Sequence, residues 1–127
     1  MLPKELTDPK SILVVGGSEN PDQLGGSVLK NLIDQKYKGQ LFVLNPKRDR
    51  VQGIVSFKDV EEAPYADLAI FAIPAANIYP ILKVLSLQKK IRAYIIYSAG
   101  FSELNEEGRK LEQKILNLIN KTGSCLL

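Results

Sequence analysis

Residues 12–26 read ILVVGGSENPDQLGG, an apolar run that stops at two glycines and is followed by a second glycine pair. Branched aliphatic side chains favour a strand, and residues without a Cβ let the backbone turn sharply and approach a ligand closely. A segment with helical periodicity begins at Gly25, so the positive end of its dipole would point back at the turn. The stretch therefore predicts a strand, a phosphate-binding turn and a helix.

The spacing of these glycines differs from that of both common nucleotide-binding loops. The dinucleotide fingerprint requires Gly-x-Gly-x-x-Gly, and the P-loop requires Gly-x4-Gly-Lys-Ser/Thr. Seven residues separate Gly17 from Gly25, and no lysine lies at the helix entry. The stretch therefore predicts a nucleotide-binding turn that belongs to neither of these two types.

The composition fits one globular domain. The chain has 127 residues, of which 45% are apolar and 24% are charged. This length allows a sizeable core but would be cramped for two domains. The net charge of +3 comes from interleaved cations and acids rather than from a basic run, and the five tyrosines and four phenylalanines are scattered. We therefore expect no nucleic-acid partner.

Nothing in the sequence indicates secretion or membrane insertion. The single cysteine, Cys125, has no partner for an intramolecular disulfide. The amino-terminal residues MLPKEL form neither a signal peptide nor a lipidation motif. No apolar stretch approaches the roughly 20 residues that are needed to cross a bilayer. We expect a cytoplasmic protein with no membrane partner.

Strand-like and helix-like segments alternate along the chain. Short, almost wholly apolar runs predict strands buried on both faces at residues 11–16, 41–44, 68–73 and 93–97. Apolar residues at helical spacing predict helices around residues 28–33, 78–85 and 111–119, and a short strand and helix are expected at 53–57 and 59–62. Asn105 and Gly123 suit the start and end of the last helix. This alternation predicts an α/β fold, with a Rossmann-like doubly wound parallel sheet in a single three-layer domain.

The carboxyl terminus predicts that residues 1–127 are one domain of a longer, multidomain protein. The residues SCLL after Gly123 have the apolar pattern of a buried strand, but the sequence ends within this short run. A natural domain usually adds a loop or a tail at such a point, so we expect native sequence to continue beyond Leu127. The alternative is a short protein that ends on an apolar strand.

The residues after the second predicted strand bear on the choice of ligand. Ligands of an open doubly wound sheet lie beyond the carboxyl ends of the strands, and an NAD site places Asp or Glu after the second one. This chain has Asn45, Pro46, Lys47 and Arg48 there. A carboxylate would repel an additional phosphate, whereas lysine and arginine attract one. The ligand should therefore carry a phosphate on or near its ribose, which leaves NADP and coenzyme A as the main candidates.

Five motifs follow one another along the chain: VGGS at 15–18, Pro21 with Gly25, NPK at 45–47, IPA at 73–75 and SAGF at 98–101. Together they resemble the amino-terminal CoA-binding domain of the NDP-forming acyl-CoA synthetases, the ADP-forming acetate–CoA ligase group that is related to the succinyl-CoA synthetase alpha subunit. The resemblance covers residues 9–127. It implies a ligase that interconverts acyl-CoA, NDP and phosphate with acid, CoA and NTP. It also implies an oligomer in which a phosphohistidine domain and ATP-grasp domains follow this one.

The same resemblance implies which residues bind coenzyme A. Its pyrophosphate would be held by the loop residues Gly16, Gly17, Ser18, Pro21, Gln23 and Gly25, all of which except the proline can donate a backbone N–H. Lys47, which follows Asn45 and Pro46, would meet the 3′-phosphate. The path of the adenine and pantetheine would be lined by Ile73, Pro74 and Ala75, and the rim under the thiol arm would include Ser98 and Gly100. The family often has Pro-Gly-Lys-Val-Gly in the loop, where this chain has Asp22 and Gln23, so we expect weaker CoA binding.

No catalytic residue and no metal site are predicted in the chain itself. It contains no histidine, and Ser18, Ser98 and Cys125 have no recognisable activating partner in the sequence. Cys125 is expected to be a buried structural thiol. No spacing is typical of metal ligands. Two alternatives to the ligase remain open: the NADP-binding half of an oxidoreductase, and a free-standing CoA-binding sensor.

Overall fold

The computed structural model describes residues 2–97 and 106–127. Its strands are β1 (Ser11–Val15), β2 (Gln40–Leu44), β3 (Arg50–Val51), β4 (Ile54–Phe57), β5 (Leu68–Phe71), β6 (Ala93–Ile96) and β7 (Cys125–Leu126). Its α-helices are α1 (Lys4–Thr7), α2 (Leu24–Asp34), α3 (Ile78–Leu87) and α4 (Glu106–Thr122). Short 3-10 helices lie at Val60–Glu62 and Ala75–Asn77.

The strands form one sheet in the order β3-β4-β2-β1-β5-β6-β7. Every pair is parallel except β3 with β4, which is antiparallel. Val15 lies opposite Leu44 on one side and Phe71 on the other, so three central strands end in register. Because the strands run parallel, the segments that follow them meet at one edge of the sheet. The predicted Rossmann-like fold is confirmed.

The sheet is buried on both faces, which explains the continuous apolar runs in its central strands. Leu13 and Val15 of β1 belong to the core beneath α3 and α4, whereas Ile12 and Val14 belong to the core beneath α2. Successive side chains of a strand point to opposite faces, so both sets must be apolar when helices cover both faces. Helices and sheet thus form three layers.

Several element boundaries differ from the sequence-based expectations. β1, β5 and β6 end one or two residues earlier than predicted; in β1 the reason is Gly16, whose φ of 91° lies outside the extended region. The two-residue strand β3 and the four-residue helix α1 were not predicted, because segments this short carry no measurable periodicity. The predicted terminal strand is present as β7, which pairs with β6.

The burial of two strands, β7 and β2, also differs from the expectation. The prediction that Cys125 is buried was wrong: the residue is only half-buried, because β7 lies at the edge of the sheet. In β2, Leu41 and Phe42 are only half-buried, although the run 41–44 was expected to be buried on both faces. Gly123 ends α4 with a φ of 68°, as predicted, and Asn105 lies outside the described residues. No helix within residues 2–97 and 106–127 is long and apolar enough to cross a membrane.

Candidate functional site

A cleft of about 420 Å³ opens at the carboxyl edge of the sheet, between the segments that follow β1 and β2. Its lining residues are Gly16, Gly17, Ser18, Glu19, Asn20, Gln23, Asn45, Pro46, Lys47 and Arg48. Seven of the residues predicted to bind the ligand are among them. The parallel register of β1 and β2 brings the two loops together, although almost thirty residues separate them in the sequence.

The turn after β1 requires a glycine at its first position. Gly16 has a φ of 91°, a backbone conformation that residues with a side chain rarely adopt. A Cβ on this residue would lie 2.5 Å from the carbonyl oxygen of Ala72 and 2.5 Å from Cγ2 of Ile73. The backbone is held there by the Gly16 N–H, which donates to the Leu44 carbonyl at 2.9 Å. The chain can therefore leave β1 sharply and open the cleft.

The start of α2 packs directly against this turn at Gly25. A Cβ on Gly25 would overlap the carbonyl oxygen of Gly16, so only a glycine allows the helix to come this close. Gly25 is buried and does not line the cleft. Gln23, the residue that precedes α2, does line it. The amino end of α2, with its unpaired N–H groups and positive dipole, is thereby held next to the cleft.

Side chains within the loop fix its conformation. Ser18 Oγ donates to Gln23 Oε1 at 2.6 Å and accepts from the Asn20 N–H at 3.1 Å. The Asp22 N–H donates to Asn20 Oδ1 at 2.9 Å. Both of these hydrogen bonds of the Ser18 hydroxyl are made within the loop, and neither partner is a basic side chain.

Asn45 connects the two loops that form the cleft. Its Nδ2 donates to the Gly17 carbonyl at 2.9 Å, and its Oδ1 accepts from the Lys47 N–H at 2.9 Å. The second contact is a local turn in which the asparagine side chain replaces a backbone group. One side chain therefore sets both the separation of the loops and the direction of the chain into Lys47.

The charges of the cleft are unevenly distributed. Lys47 and Arg48 line one side of it, and both are exposed. The neighbouring carboxylate of Asp49 lies 3.3 Å from Lys58 Nζ, so it has a cationic partner of its own. Glu19 lines the other side, where its carboxylate accepts from the Gln52 N–H at 2.7 Å. An anion would therefore be favoured near the two cations.

The other predicted site residues that the structure describes do not line the cleft. Ile73 lies beside it, against the turn at Gly16, while exposed Pro74 and buried Ala75 begin the segment after β5. Pro21 is exposed on the loop. Ser98 and Gly100 lie outside the described residues, so the predicted rim does too.

Gln52, which lies between β3 and β4, was not among the residues predicted from the sequence. Its Nε2 donates to the Ser18 carbonyl at 2.8 Å and to the Gly26 carbonyl at 3.0 Å. The residue is far from the loop in sequence, and a lone glutamine in a turn carries no motif. The only signal was the following residue, Gly53, which is typical of a tight hairpin.

The three tyrosines whose pKa values are shifted lie away from the cleft. Burial raises the pKa of Tyr37, Tyr65 and Tyr94, and none of the three lines the cleft. No group of three or more His, Cys, Asp or Glu residues within 2–97 and 106–127 is placed to hold a metal ion. Among its described lining residues, the cleft has the glycine turn on one side and two exposed cations, Lys47 and Arg48, on the other.

A family model for the CoA binding domain matches residues 10–126. The chain belongs to the CoA binding domain family. This match covers both loops of the cleft and nearly the whole sheet, so the resemblance found in the five motifs is confirmed. Of the ligands considered from the sequence, coenzyme A is the one that the family supports, and the NADP-binding alternative is not favoured.

Relatives of this CoA binding domain include a CoA synthase and a subunit of a CoA ligase. A trans-feruloyl-CoA synthase of an unknown prokaryotic organism is 40% identical over 122 residues, which are 95% of this chain and 17% of the synthase. The alpha subunit of an ADP-forming acetate–CoA ligase I of Pyrococcus furiosus is 34% identical over 127 residues, which cover 96% of this chain and 27% of the subunit. The chain thus spans less than a third of the length of these relatives.

Solved structures share the fold of the domain. A protein of Pyrococcus horikoshii is 34% identical with a TM-score of 0.87, and the match covers 100% of this chain and 29% of that one. The dinucleotide-forming acetyl-coenzyme A synthetase 1 of Ca. Korarchaeum cryptofilum, in complex with phosphate and ADP, is 24% identical with a TM-score of 0.88. That match covers 98% of this chain and 26% of the synthetase, and it shows the fold alone.

Proposed function

We propose that the chain binds coenzyme A in the cleft between the loops after β1 and β2, as one domain of an NDP-forming acyl-CoA synthetase. The observation that carries the proposal is the juxtaposition of the turn at Gly16 with Lys47 and Arg48 across one cleft. The two loops lie where they could bind two separate groups of the coenzyme, its pyrophosphate and its 3′-phosphate. Membership of the CoA binding domain family supports the choice of ligand.

The pyrophosphate is assigned to the loop from Gly16 to Gln23 and the amino end of α2. Exposed backbone N–H groups and the positive end of a helix dipole attract anions. The packing of Gly25 on the Gly16 carbonyl keeps the helix end and the turn together. Asp22 adds a negative charge to this loop, and the exposed position of its side chain keeps the cost small.

The 3′-phosphate is assigned to Lys47, with Arg48 as a second cation. The backbone at Lys47 is held by the bond between its N–H and the Asn45 side chain, and the lysine side chain is exposed. Arg48 can hold a phosphate with two parallel N–H donors. Because Asp49 pairs with Lys58, the nearest acid in sequence does not compete directly for these cations.

The rest of the coenzyme is assigned to the segment after β5. Ile73 lies against Gly16, and together with Pro74 and Ala75 it would form the apolar wall for the adenine and the pantetheine. The thiol arm would then leave the domain over the rim that includes Ser98 and Gly100. The three residues of the segment after β5 would provide contact area rather than chemistry.

The proposed reaction of the whole protein is the interconversion of acyl-CoA, NDP and phosphate with acid, CoA and NTP. The chain contains no histidine, so a phosphohistidine would have to come from another domain or subunit. The chain spans only 17% and 27% of the synthase and ligase relatives, which leaves room for such domains in proteins of this kind. We expect the assembled protein to be an oligomer that works in the cytoplasm.

Calorimetric titration of the chain with CoA and with NADPH tests the ligand. We expect CoA to bind with a Kd well below about 1 mM, where the binding free energy is about 4 kcal/mol, and more tightly than NADPH. Tighter binding of NADPH would favour the oxidoreductase. Binding of neither ligand below that concentration would contradict the nucleotide site as a whole.

A further inference from the structure

Gln52 occupies a turn that a glutamine rarely occupies. It has a φ of 49°, and Gly53 has a φ of 79°, so both central residues of the link between β3 and β4 lie in the left-handed region. Such turns suit the twist of a hairpin and are usually formed by asparagine, aspartate or glycine. A longer side chain in this conformation is strained, and strain of this kind is often associated with a function.

The contacts of Gln52 reach both ends of the loop after β1. Its side-chain Nε2 donates to the carbonyl oxygens of Ser18, at 2.8 Å, and of Gly26, at 3.0 Å. Its backbone N–H donates to the carboxylate of Glu19 at 2.7 Å. Ser18 and Gly26 bracket the seven residues 19–25, so one amide group fixes the span of the loop.

We propose that Gln52 is a positioning residue that holds the loop from Ser18 to Gly26 in the shape that binds the CoA pyrophosphate. The inference rests on the proposed function, since the loop is assigned to the pyrophosphate there. A loop that is already ordered has less conformational entropy to lose when the ligand arrives, so its affinity is higher. Glu19 is the acid among the described lining residues, and its carboxylate accepts from the Gln52 backbone N–H. This hydrogen bond weakens the repulsion between the carboxylate and a phosphate.

Two substitutions separate the side-chain contacts from the turn itself. Gln52→Gly removes the amide but adopts a positive φ readily, so the hairpin is retained. Gln52→Glu keeps the length of the side chain and replaces its donor with an acceptor that faces two carbonyl oxygens. Lys90→Gly is the matched control, because Lys90 also has a positive φ, of 63°, and is exposed outside the cleft.

The test combines titration with CoA and dephospho-CoA and amide hydrogen exchange of the ligand-free chain. Both Gln52 variants should raise the Kd of the two ligands by the same factor, about tenfold for the loss of two hydrogen bonds, because both ligands contain the pyrophosphate. Exchange should become faster at the Asn20, Asp22 and Gln23 amides and stay unchanged in β1. The Lys90→Gly chain should behave like the unmodified chain in both measurements.

The outcomes distinguish this inference from the proposed function. If the unmodified chain binds CoA and neither Gln52 variant changes its Kd, Gln52 does not position the loop. Faster exchange throughout β1 in both variants would also overturn the inference, because it would indicate general support of the fold. If the unmodified chain binds neither CoA nor dephospho-CoA, the proposed function fails, and the role of Gln52 in ligand binding fails with it.

Discussion

The side-chain Nδ2 of Asn45 donates a 2.9 Å hydrogen bond to the carbonyl oxygen of Gly17, and this bond joins the loop after β2 to the turn after β1. The other end of the same amide accepts from the Lys47 N–H. The position of Lys47 relative to the turn therefore depends on one half-buried side chain. This relationship is the basis of the first prediction.

Asn45→Ala should weaken CoA binding and destabilise the chain. It removes two hydrogen bonds, each worth about 1 kcal/mol, so we expect a loss of about 1–2 kcal/mol in the free energy of unfolding. The Kd for CoA should rise about tenfold, since the loops lose their fixed separation. Denaturant unfolding and calorimetry measure the two effects. Asn120→Ala on the exposed side of α4 is the control, and an equal effect of both changes would contradict this role of Asn45.

Gly25→Ala should destabilise the chain by about 2 kcal/mol or more, in the range of overpacking in a well-packed core. The added methyl group would overlap the Gly16 carbonyl oxygen, so either α2 or the turn must shift. The thermal midpoint should fall, and CoA binding should weaken with it. Leu24→Ala changes the adjacent, half-exposed residue and should cost much less. A Gly25→Ala chain of unchanged stability would show that the helix entry is not tightly packed.

Asp22→Asn should strengthen CoA binding by a factor of about two to five, because it removes an exposed negative charge beside the assigned pyrophosphate site. The gain should shrink as the salt concentration rises, since salt screens exposed charges. Titrations at low and high ionic strength measure both effects. Glu112→Gln makes the same change of charge on α4 and should leave the affinity unchanged. Equal gains for the two variants would indicate a non-specific effect of net charge.

The chain should lose stability as the pH rises above about 10, where tyrosines of an unfolded chain titrate. Tyr94 is buried and its hydroxyl donates to the Ile91 carbonyl at 2.6 Å; burial raises its pKa. The folded chain then keeps a proton that the unfolded chain releases, so alkaline pH favours unfolding. Tyr37 and Tyr65 are shifted in the same direction.

Tyr94→Phe isolates the contribution of this hydroxyl. At neutral pH it should cost about 1 kcal/mol for the lost hydrogen bond. Above pH 10 or so, the free energy of unfolding should fall less steeply with pH than in the unmodified chain. Urea unfolding at a series of pH values measures both. An unchanged slope in the variant would show that Tyr94 does not contribute to the alkaline loss.

The core of the fold was predictable because it depends on local patterns. The run Ile12–Val15 is continuous and apolar since both faces of β1 are covered, and the glycine at position 16 marks the end of the strand. Lys47 could be placed at the site because parallel strands end at one edge of the sheet. The ligand class followed from the motifs and is supported by the family match.

The contributions of Gln52 and Gly25 to the site were not predictable in the same way. Gln52 reaches Ser18 across 34 positions of sequence, and its role depends on the two-residue strand β3. Gly25 packs against Gly16 at the entry of α2, and the spacing of the glycines in the sequence does not specify this contact. Both features arise from tertiary packing, which periodicity and motifs do not encode.

The most direct test of the central claim is a comparison of CoA with dephospho-CoA in the unmodified chain and in Lys47→Ala. The two ligands differ only in the 3′-phosphate that is assigned to Lys47. We expect the unmodified chain to prefer CoA about tenfold, as one charge-assisted contact would provide, and the variant to lose most of that preference while its affinity for dephospho-CoA stays nearly constant. Equal losses for both ligands, or no preference in the unmodified chain, would contradict the assignment of the cleft.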